Sequence, residues 1–398
     1  MPSIRVLVVI LAAVSVAPAD AAERLVWFGT SGGGKTGSQG IYVSRFDETT
    51  GKFAPPVLAV AARRPSFLAL HPALPVLYAV SDVADADGKP RGSVQAFAID
   101  AATGTLTAKN HQPTGGGGPC HVSVDAGGRV ALAANYSGGS VICLGLEADG
   151  SLKPVVGDNP GGLLRHAYDR KPEEGFNPGR QEKPHGHSID PTPDGRFAIV
   201  CDLGLDKVFV HALDPRRATL APHGAATTKA GAGPRHFALH PDGRFGYCVN
   251  ELDLTVSAFA FDPQGGALTE IQTLPTLPAD VTDRNGFTAA EIAVHPTGRF
   301  LYASTRGHQS IAMYAVDAAS GKLTFLGVEP MRGKTPRHFA LDPTGRFLLA
   351  GGQDSNTVTV FTIDPATGRL AFSGTSIDVP SPTCITFARQ QLASAGSK

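Results

Sequence analysis

The sequence lacks an excess of charge of either sign. Lysine and arginine together number 35, and aspartate and glutamate together also number 35. Such a balanced chain offers no broad basic surface to nucleic acid or to anionic lipid. We therefore expect no nucleic-acid partner and no electrostatic attachment to a membrane.

Cysteine is scarce, and its spacing indicates neither a disulfide framework nor a thiol nucleophile. The five cysteines are an odd number, and no two of them form a C-x-x-C pair. Cys201 and Cys248 lie in the apolar runs FAIVCD and FGYCVN, where a free thiol behaves as a small buried hydrophobe. No nucleophile elbow of the G-x-S-x-G type, which needs a strand-to-helix turn, is apparent either. Covalent catalysis is therefore not expected.

The apolar stretch at the N-terminus is too short to span a membrane. It runs from Val6 to Ala17, follows the single cation Arg5, and precedes a small-residue A-x-A site at Ala19–Ala21. This order is typical of a cleavable secretory signal. We predict a signal peptide over residues 1–21, a mature chain without a membrane span, and a periplasmic or secreted protein.

No window of the sequence has the periodicity of an amphipathic helix, and a repeated phrase of β character takes its place. The phrase is a strand, a turn ending in Gly-Arg-Phe, and a second strand, with its clearest copies at Pro234–Phe245 and Pro336–Phe347. Variants lie at Ala289–Phe300 and Pro184–Phe197, and looser copies follow Pro65, Pro119 and Pro382. Seven copies spaced about 45–65 residues apart, with 47 glycines for tight turns, predict an all-β, seven-bladed β-propeller.

The two ends of the mature chain complete each other. The last copy, Thr383–Phe387, supplies a first strand without outer partners, whereas Leu25–Thr30 and Ile41–Phe46 supply strands without a first one. Pairing the N-terminal strands with the C-terminal half-repeat would close the ring and remove both sheet edges. We therefore predict one propeller domain over residues 22–398. Two insertions, Val155–Lys183 and Leu277–Thr288, should each follow a fourth strand and emerge on one face.

Positions that vary between otherwise similar copies indicate a functional site. The entry to each first strand and the loop after each second strand gather at one mouth of a propeller's tunnel. The polar side chains that the copies carry there, or close by, are His185, His187, Arg235, His236, Glu251, Glu291, Arg306, Arg337 and Gln353. Arginines that converge on one mouth would bind an anionic substrate. His185 and His187, two apart on a strand, would share a face and could exchange protons near neutral pH.

Other interpretations of these residues remain open at this stage. The two Pro-Arg-His copies could serve blade structure, and the His-Gly-His pair could bind a metal, although no third ligand is evident. The Gly-Arg-Phe residues are interpreted as structural, with the arginine across the blade surface and the phenylalanine between blades. We expect no metal and no cofactor.

Four strings resemble one protein family in register along nearly the whole mature chain. They are GFNPGRQEKPHGHSID at Gly175–Asp190 and the segments Gly233–Phe259, Ala289–Ala312 and Thr335–Phe361. The strings are similar to those of bacterial lactonases of the 6-phosphogluconolactonase type, to which fungal carboxy-muconate lactonising enzymes look related. The resemblance implies a seven-bladed propeller that needs no metal.

The resemblance also implies roles for individual residues. In the lactonising relatives a histidine, a glutamate and arginines handle lactone and carboxylate, and their motif matches are His187, Glu251, Arg235 and Arg306. Arg337 and Gln353 fall in further motif matches. Independently of the resemblance, the variable positions at the mouth add His185, His236 and Glu291 to the expected substrate-binding set. One departure is Thr305, since the family usually carries asparagine in its S-N-R-G motif; another is GGQD in place of A-N-Q-D.

These observations together predict an exported lactonase that hydrolyses an acidic or sugar-derived lactone. His187 would act as the acid and base with Glu251 assisting, and arginines would hold the anionic group and the developing oxyanion. Two alternatives stay open: a non-catalytic propeller that binds an anion or a partner, and a cycloisomerase that forms a lactone.

Overall fold

The computed structural model describes residues 23–32, 37–84, 90–155, 162–168 and 177–389. All regular secondary structure in these ranges is strand, and no helix there could cross a membrane. The predicted signal peptide, residues 1–21, lies outside the described residues.

The described residues form twenty-nine strands in chain order. Those in the first half are β1 (Glu23–Thr30), β2 (Gly40–Asp47), β3 (Lys52–Phe53), β4 (Val57–Ala61), β5 (Leu68–Leu70), β6 (Val76–Ala84), β7 (Pro90–Ile99), β8 (Leu106–Pro113), β9 (Pro119–Val124), β10 (Val130–Asn135), β11 (Ser140–Gly145), β12 (Leu163–Arg165), β13 (Gly186–Pro191), β14 (Phe197–Asp202), β15 (Lys207–Asp214) and β16 (Thr219–Thr227). Those in the second half are β17 (Pro234–Leu239), β18 (Phe245–Asn250), β19 (Thr255–Phe261), β20 (Leu268–Pro275), β21 (Thr288–Val294), β22 (Phe300–Arg306), β23 (Ser310–Val316), β24 (Leu323–Pro330), β25 (Pro336–Leu341), β26 (Phe347–Gly352), β27 (Thr357–Ile363), β28 (Leu370–Asp378) and β29 (Pro382–Phe387).

The strands form seven antiparallel sheets, which confirms the predicted seven-bladed propeller. Six sheets take four consecutive strands each, from β5–β8 to β25–β28. The seventh has the order β29-β1-β2-β3, with β4 also paired to β2. In that sheet Trp27 of β1 lies opposite Thr386 of β29, so the two ends of the chain close the ring as predicted. Closure gives β29 the same kind of partner that the other first strands have within their own blades.

The Gly-Arg-Phe turns join neighbouring blades, in agreement with their structural interpretation. Phe245 packs beneath Gly321 of the next blade so closely that a Cβ on that glycine would meet the ring at 2.3 Å. Gly321 also has a φ of +68°, which a residue with a side chain rarely adopts. Arg244 crosses the blade surface and donates to the carbonyl oxygen of Ala318 at 2.9 Å. The repeat thus supplies both the core and the ties between blades.

The first insertion differs from the prediction in one respect. Its residues Leu163–Arg165 form β12, the short fourth strand of the blade that we expected to end before Val155. This segment pairs with β11 because Val141 and its neighbours offer the last free edge of that sheet. Parts of the insertion, residues 156–161 and 169–176, lie outside the described residues. Residues from both insertions, Arg180 and Thr288, line the same cavity, so both reach one face.

Candidate active site

A cavity of about 490 Å³ lies at the end of the tunnel where the first strands begin. We call it the mouth. Its charged and acid–base side chains are Arg64, Tyr136, Arg180, His187, Glu251, Arg306 and Arg337. These residues come from several blades and one insertion, so the mouth is built from positions at which the repeats differ.

Glu251 is the buried carboxylate about which the arginines gather. It lies just after β18, and its oxygens are 2.5 Å from Arg180, 3.0 Å from Arg235 and 3.0 Å from Arg306. Burial alone would raise the pKa of Glu251, but the three guanidinium groups lower it to about 2. A carboxylate this acidic is a poor proton acceptor at neutral pH. Glu251 therefore stays ionised at neutral pH and pairs with the three arginines.

Arg235 lies behind Glu251 and does not face the mouth. Its side chain is 3 % exposed, and it donates to Glu251 and to the carbonyl oxygen of Ala290. Burial lowers its pKa to about 9, and the nearby Arg337 and Arg306 act in the same direction. Arg235 was expected to touch substrate. The structure places it against Glu251 instead, so any effect of Arg235 on the mouth is transmitted through that carboxylate.

Arg337 forms no salt bridge with any residue that the structure describes. It is partly buried in the mouth wall, and burial and the neighbouring Arg306 both lower its pKa. Four guanidinium groups therefore surround a single carboxylate, which leaves three positive charges without a counterion in this part of the chain. Such a surplus of positive charge in a partly buried cavity favours the binding of an anion.

His187 lies in the mouth wall at the start of β13. A bulge between Gly186 and Ser188 breaks the pairing of this strand with β14, so His187 occupies the extra position of the bulged strand. Its Nδ1 is 4.0 Å from Cys120 Sγ. Burial, and then Arg235, lower the pKa of His187 well below its usual range. The imidazole is therefore neutral at physiological pH, and an anion bound among the arginines would offset their part of this shift and make the ring a better proton acceptor.

His185 was expected on the same strand face as His187, and the structure corrects this. It precedes β13 and stacks on Tyr136 with ring centres 4.4 Å apart. Its Nδ1 lies 2.9 Å from the backbone oxygen of Tyr136, and its Nε2 lies 3.2 Å from Glu182. Tyr136 also contacts His187, with ring centres 5.4 Å apart, but of the two histidines His187 is the one that lines the mouth, so His185 supports its wall.

Arg180 lines the mouth, and reasoning from the repeat missed it. Gln181 fixes its turn by donating to the Leu203 carbonyl oxygen at 2.7 Å and to Asp206 at 2.8 Å. This anchor directs Arg180 onto Glu251 and onto the hydroxyl of Tyr136 at 3.1 Å. Because Arg180 lies in an insertion, no other blade has an equivalent. The Arg-Gln-Glu part of the family-like string was the available signal.

His236 and Glu291 do not face the mouth, contrary to expectation. They line a second cavity of about 410 Å³, which we call the inner compartment, together with His121, Asp190 and Arg389. Arg235 occupies the extra position of a bulge between Pro234 and His236 and turns to Glu251, whereas His236 borders the inner compartment. The inner compartment borders the far ends of the first strands and is therefore separate from the mouth.

A layer of aromatic rings lies across the tunnel, and we call it the histidine layer. Its members are Phe67, His121, His187, His236 and His338. Their closest ring centres, those of Phe67 and His121, are 4.3 Å apart. His187 is the ring of this layer that lines the mouth, whereas His121 and His236 border the inner compartment.

Two further expectations concern Gln353 and Thr305. Gln353 lines the mouth as predicted. Thr305 is fully buried and lies 3.1 Å from Thr276 through the two hydroxyl oxygens, so the departure from the family's motif does not alter the mouth surface. No group of three or more His, Cys, Asp or Glu side chains with a metal-binding arrangement occurs within the described ranges.

The fold and the comparison with known proteins identify a propeller enzyme of the lactone-hydrolysing class. Residues 26–387 match the family of seven-bladed β-propeller lactonases, and the chain belongs to that family. It is 36 % identical over 356 residues to the 6-phosphogluconolactonase of Bacillus subtilis, covering 89 % of this chain and 96 % of that protein. It is 33 % identical to the periplasmic gluconolactonase PpgL of Pseudomonas aeruginosa, with a TM-score of 0.82 over 92 % of this chain and 99 % of that one.

Proposed function

We propose that this protein is an exported lactonase that hydrolyses an anionic, sugar-derived lactone at the tunnel mouth without a metal. The observation that carries the proposal is the surplus of three positive charges beside a neutral histidine. A lactone with a carboxylate or phosphate group would supply the missing anion. Hydrolysis also produces a new carboxylate, which the same arginines would stabilise.

The chemistry follows from the protonation states of the mouth residues. Neutral His187 takes a proton from water, and the resulting hydroxide attacks the carbonyl carbon of the lactone. Arg306 and Arg337 stabilise the negative charge that develops on the carbonyl oxygen. The tetrahedral intermediate then loses its bond to the ring oxygen, which takes the proton back from His187. The product is an open hydroxy acid.

The names of the relatives support the substrate class. One is a 6-phosphogluconolactonase and another is a gluconolactonase, so both act on a lactone of gluconate or its phosphate. Arg337, which forms no salt bridge in the described chain, favours the phosphorylated lactone over the neutral one. The predicted export favours a substrate that is the lactone of a sugar acid available outside the cytoplasm.

A titration of released acid at constant pH tests the proposal. Purified mature protein should hydrolyse aldonolactones faster than buffer alone does, with a higher kcat/KM for a lactone that carries an anionic group than for its neutral counterpart. Preference for the neutral lactone would remove the role of the charge surplus. Absence of turnover on every lactone would favour a propeller that only binds anions.

Export gives a second expectation. Because the apolar run of the first residues is short and ends at a small-residue site, a Gram-negative host should cleave the chain near Ala21 or Ala22. The shortened protein should appear in the periplasmic fraction, as identified by intact mass. A chain that keeps Met1 and stays with the cytoplasmic fraction would contradict the proposed export.

A further inference from the structure

Tyr136 lines the mouth, yet the chemistry proposed above gives it no role. It follows β10, and its ring is held by two histidines. His185 stacks on the ring with centres 4.4 Å apart, and His187 makes a T-shaped contact with it, with centres 5.4 Å apart. The backbone N–H of Tyr136 also donates to the carbonyl oxygen of Gly118 at 3.0 Å. The phenol is therefore fixed in position beside the proposed acid–base group.

The hydroxyl of Tyr136 accepts a hydrogen bond within the protein but donates none. Arg180 donates to the phenolic oxygen at 3.1 Å, and Arg180 is itself held by Glu251 at 2.5 Å. No residue in the described ranges accepts the hydrogen bond that the O–H group can donate. A phenol is both a donor and an acceptor, and a buried one usually uses its O–H. This O–H is therefore available to a molecule bound in the mouth.

Lactone hydrolysis needs a donor at the ring oxygen as well as at the carbonyl oxygen. Negative charge develops on the ring oxygen as its bond to the carbonyl carbon breaks, and a donor that is in place beforehand stabilises that charge. Arg306 and Arg337 are assigned to the carbonyl oxygen. The ring oxygen takes its proton from His187, so it lies next to that ring, and Tyr136 is the hydroxyl-bearing ring in contact with His187.

We propose that Tyr136 is a further catalytic residue, whose O–H donates a hydrogen bond to the ring oxygen of the lactone and stabilises the charge that develops there. The proposal rests on the lactonase function proposed above. Tyr136 keeps its proton throughout. His187, protonated by the attacking water, transfers that proton to the ring oxygen as the carbon–oxygen bond breaks. The ring oxygen becomes a hydroxyl group of the open acid, the acid loses its own proton to solvent, and both side chains are back in their starting states.

The neighbours of Tyr136 keep its phenol protonated and polarise it. Burial raises the pKa of the phenol, Arg180 opposes that rise, and Glu251 and Cys120 add to it. The pKa lies above its usual value, so the O–H is intact at neutral pH. A hydroxyl that accepts a hydrogen bond also donates a stronger one, because the two bonds polarise each other. The contact from Arg180 therefore makes Tyr136 a better donor.

The first test is Tyr136→Phe, which removes the hydroxyl and keeps the ring with both of its histidine contacts. We expect kcat for an anionic lactone to fall about 10- to 100-fold, as for the loss of one hydrogen bond to a developing charge, with little change in KM. Tyr168→Phe is the matched control. The hydroxyl of Tyr168 donates to the Gln181 carbonyl oxygen at 3.1 Å, next to Arg180, but Tyr168 does not line the mouth. This variant should keep nearly the wild-type kcat.

A difluorotyrosine in place of Tyr136 separates hydrogen-bond donation from packing. Fluorine makes the phenol more acidic with little change in its size, so the O–H is lost at a lower pH. Since the pKa of Tyr136 is raised above its usual value of about 10, the wild-type kcat should not decline up to about pH 9. The kcat of the difluorotyrosine variant should decline within that range as the phenol ionises. Rates of acid release, corrected for hydrolysis in buffer alone, measure both profiles.

The outcomes distinguish the role of Tyr136 from the lactonase function itself. If Tyr136→Phe keeps a near-normal kcat in an active enzyme, Tyr136 is not catalytic and the lactonase stands. An equal loss in Tyr168→Phe would trace the effect to the turn that carries Arg180. A difluorotyrosine profile that matches the wild type would make the hydroxyl structural, and either result overturns the proposal. If the wild type hydrolyses no lactone, the proposed function fails.

Discussion

Replacing His187 with alanine should lower kcat for lactone hydrolysis by a factor of about 100 to 10,000, the range for losing a general acid or base. The structure gives the reason, because His187 is the ring of the histidine layer that lines the mouth, and it is held neutral. Since its pKa lies well below 6.5, the rate of the wild type should stay constant as the pH falls to 6.5 and decline only below that value. Titration of released acid from pH 5 to 8 measures both effects.

The matched control for this variant is His185→Ala. His185 stacks behind the mouth wall on Tyr136, so its loss should lower kcat less than the loss of His187 does. EDTA should leave the wild-type rate unchanged, since the proposed mechanism uses no metal. Loss of activity on chelation, restored by zinc or calcium, would instead make the His-Gly-His pair a metal site. A folded His187→Ala variant with near-normal kcat would exclude His187 as the acid–base group.

Replacing Arg337 with alanine should weaken transition-state binding of an anionic lactone by about 2–4 kcal/mol, as for loss of a buried charge-assisted contact. Thermal stability should stay the same or rise. Arg337 forms no salt bridge in the described chain and is crowded by Arg306, so its removal relieves repulsion. Measurement of kcat/KM alongside the melting temperature would show the two quantities moving independently.

Arg244→Ala provides a contrasting arginine variant. Arg244 lies on an outer turn, 2.7 Å from Asp242, and ties two blades together through Ala318. Its loss should affect stability and leave kcat/KM unaltered. If Arg337→Ala instead lowers the melting temperature strongly and keeps kcat/KM, Arg337 is a structural arginine and the surplus charge has no role in binding.

The fold could be predicted because the repeat carries its own turn chemistry and strand periodicity. Gly-Arg-Phe recurs in several blades because its phenylalanine packs against the next blade, as the contact of Phe245 with Gly321 illustrates. Closure of the ring followed from two incomplete ends, and the pairing of β29 with β1 confirms it. The blade repeat can be predicted from short segments of the sequence, and ring closure can be predicted from the number of copies and the two incomplete ends.

The site was less predictable, because it depends on where side chains point and on what lies between repeats. Arg235 and His236 are neighbours in sequence, yet one supports the mouth and the other borders the inner compartment. Period-two alternation alone would place His185 and His187 on one face, but His185 precedes β13, His187 lies in a bulge, and of the two His187 is the one that lines the mouth. Arg180 comes from an insertion, for which no comparison between blades is possible. Such details need the three-dimensional arrangement of the strands.

The location of the bound product is the most direct test of the central claim that lactone chemistry takes place at the mouth. The open sugar acid is stable in the presence of the enzyme, so a crystal structure with the phosphorylated aldonate can be determined. We expect its new carboxylate between Arg306 and Arg337, next to His187 and on the mouth side of the histidine layer. An aldonate bound only in the inner compartment or on the outer surface of the propeller would contradict the account.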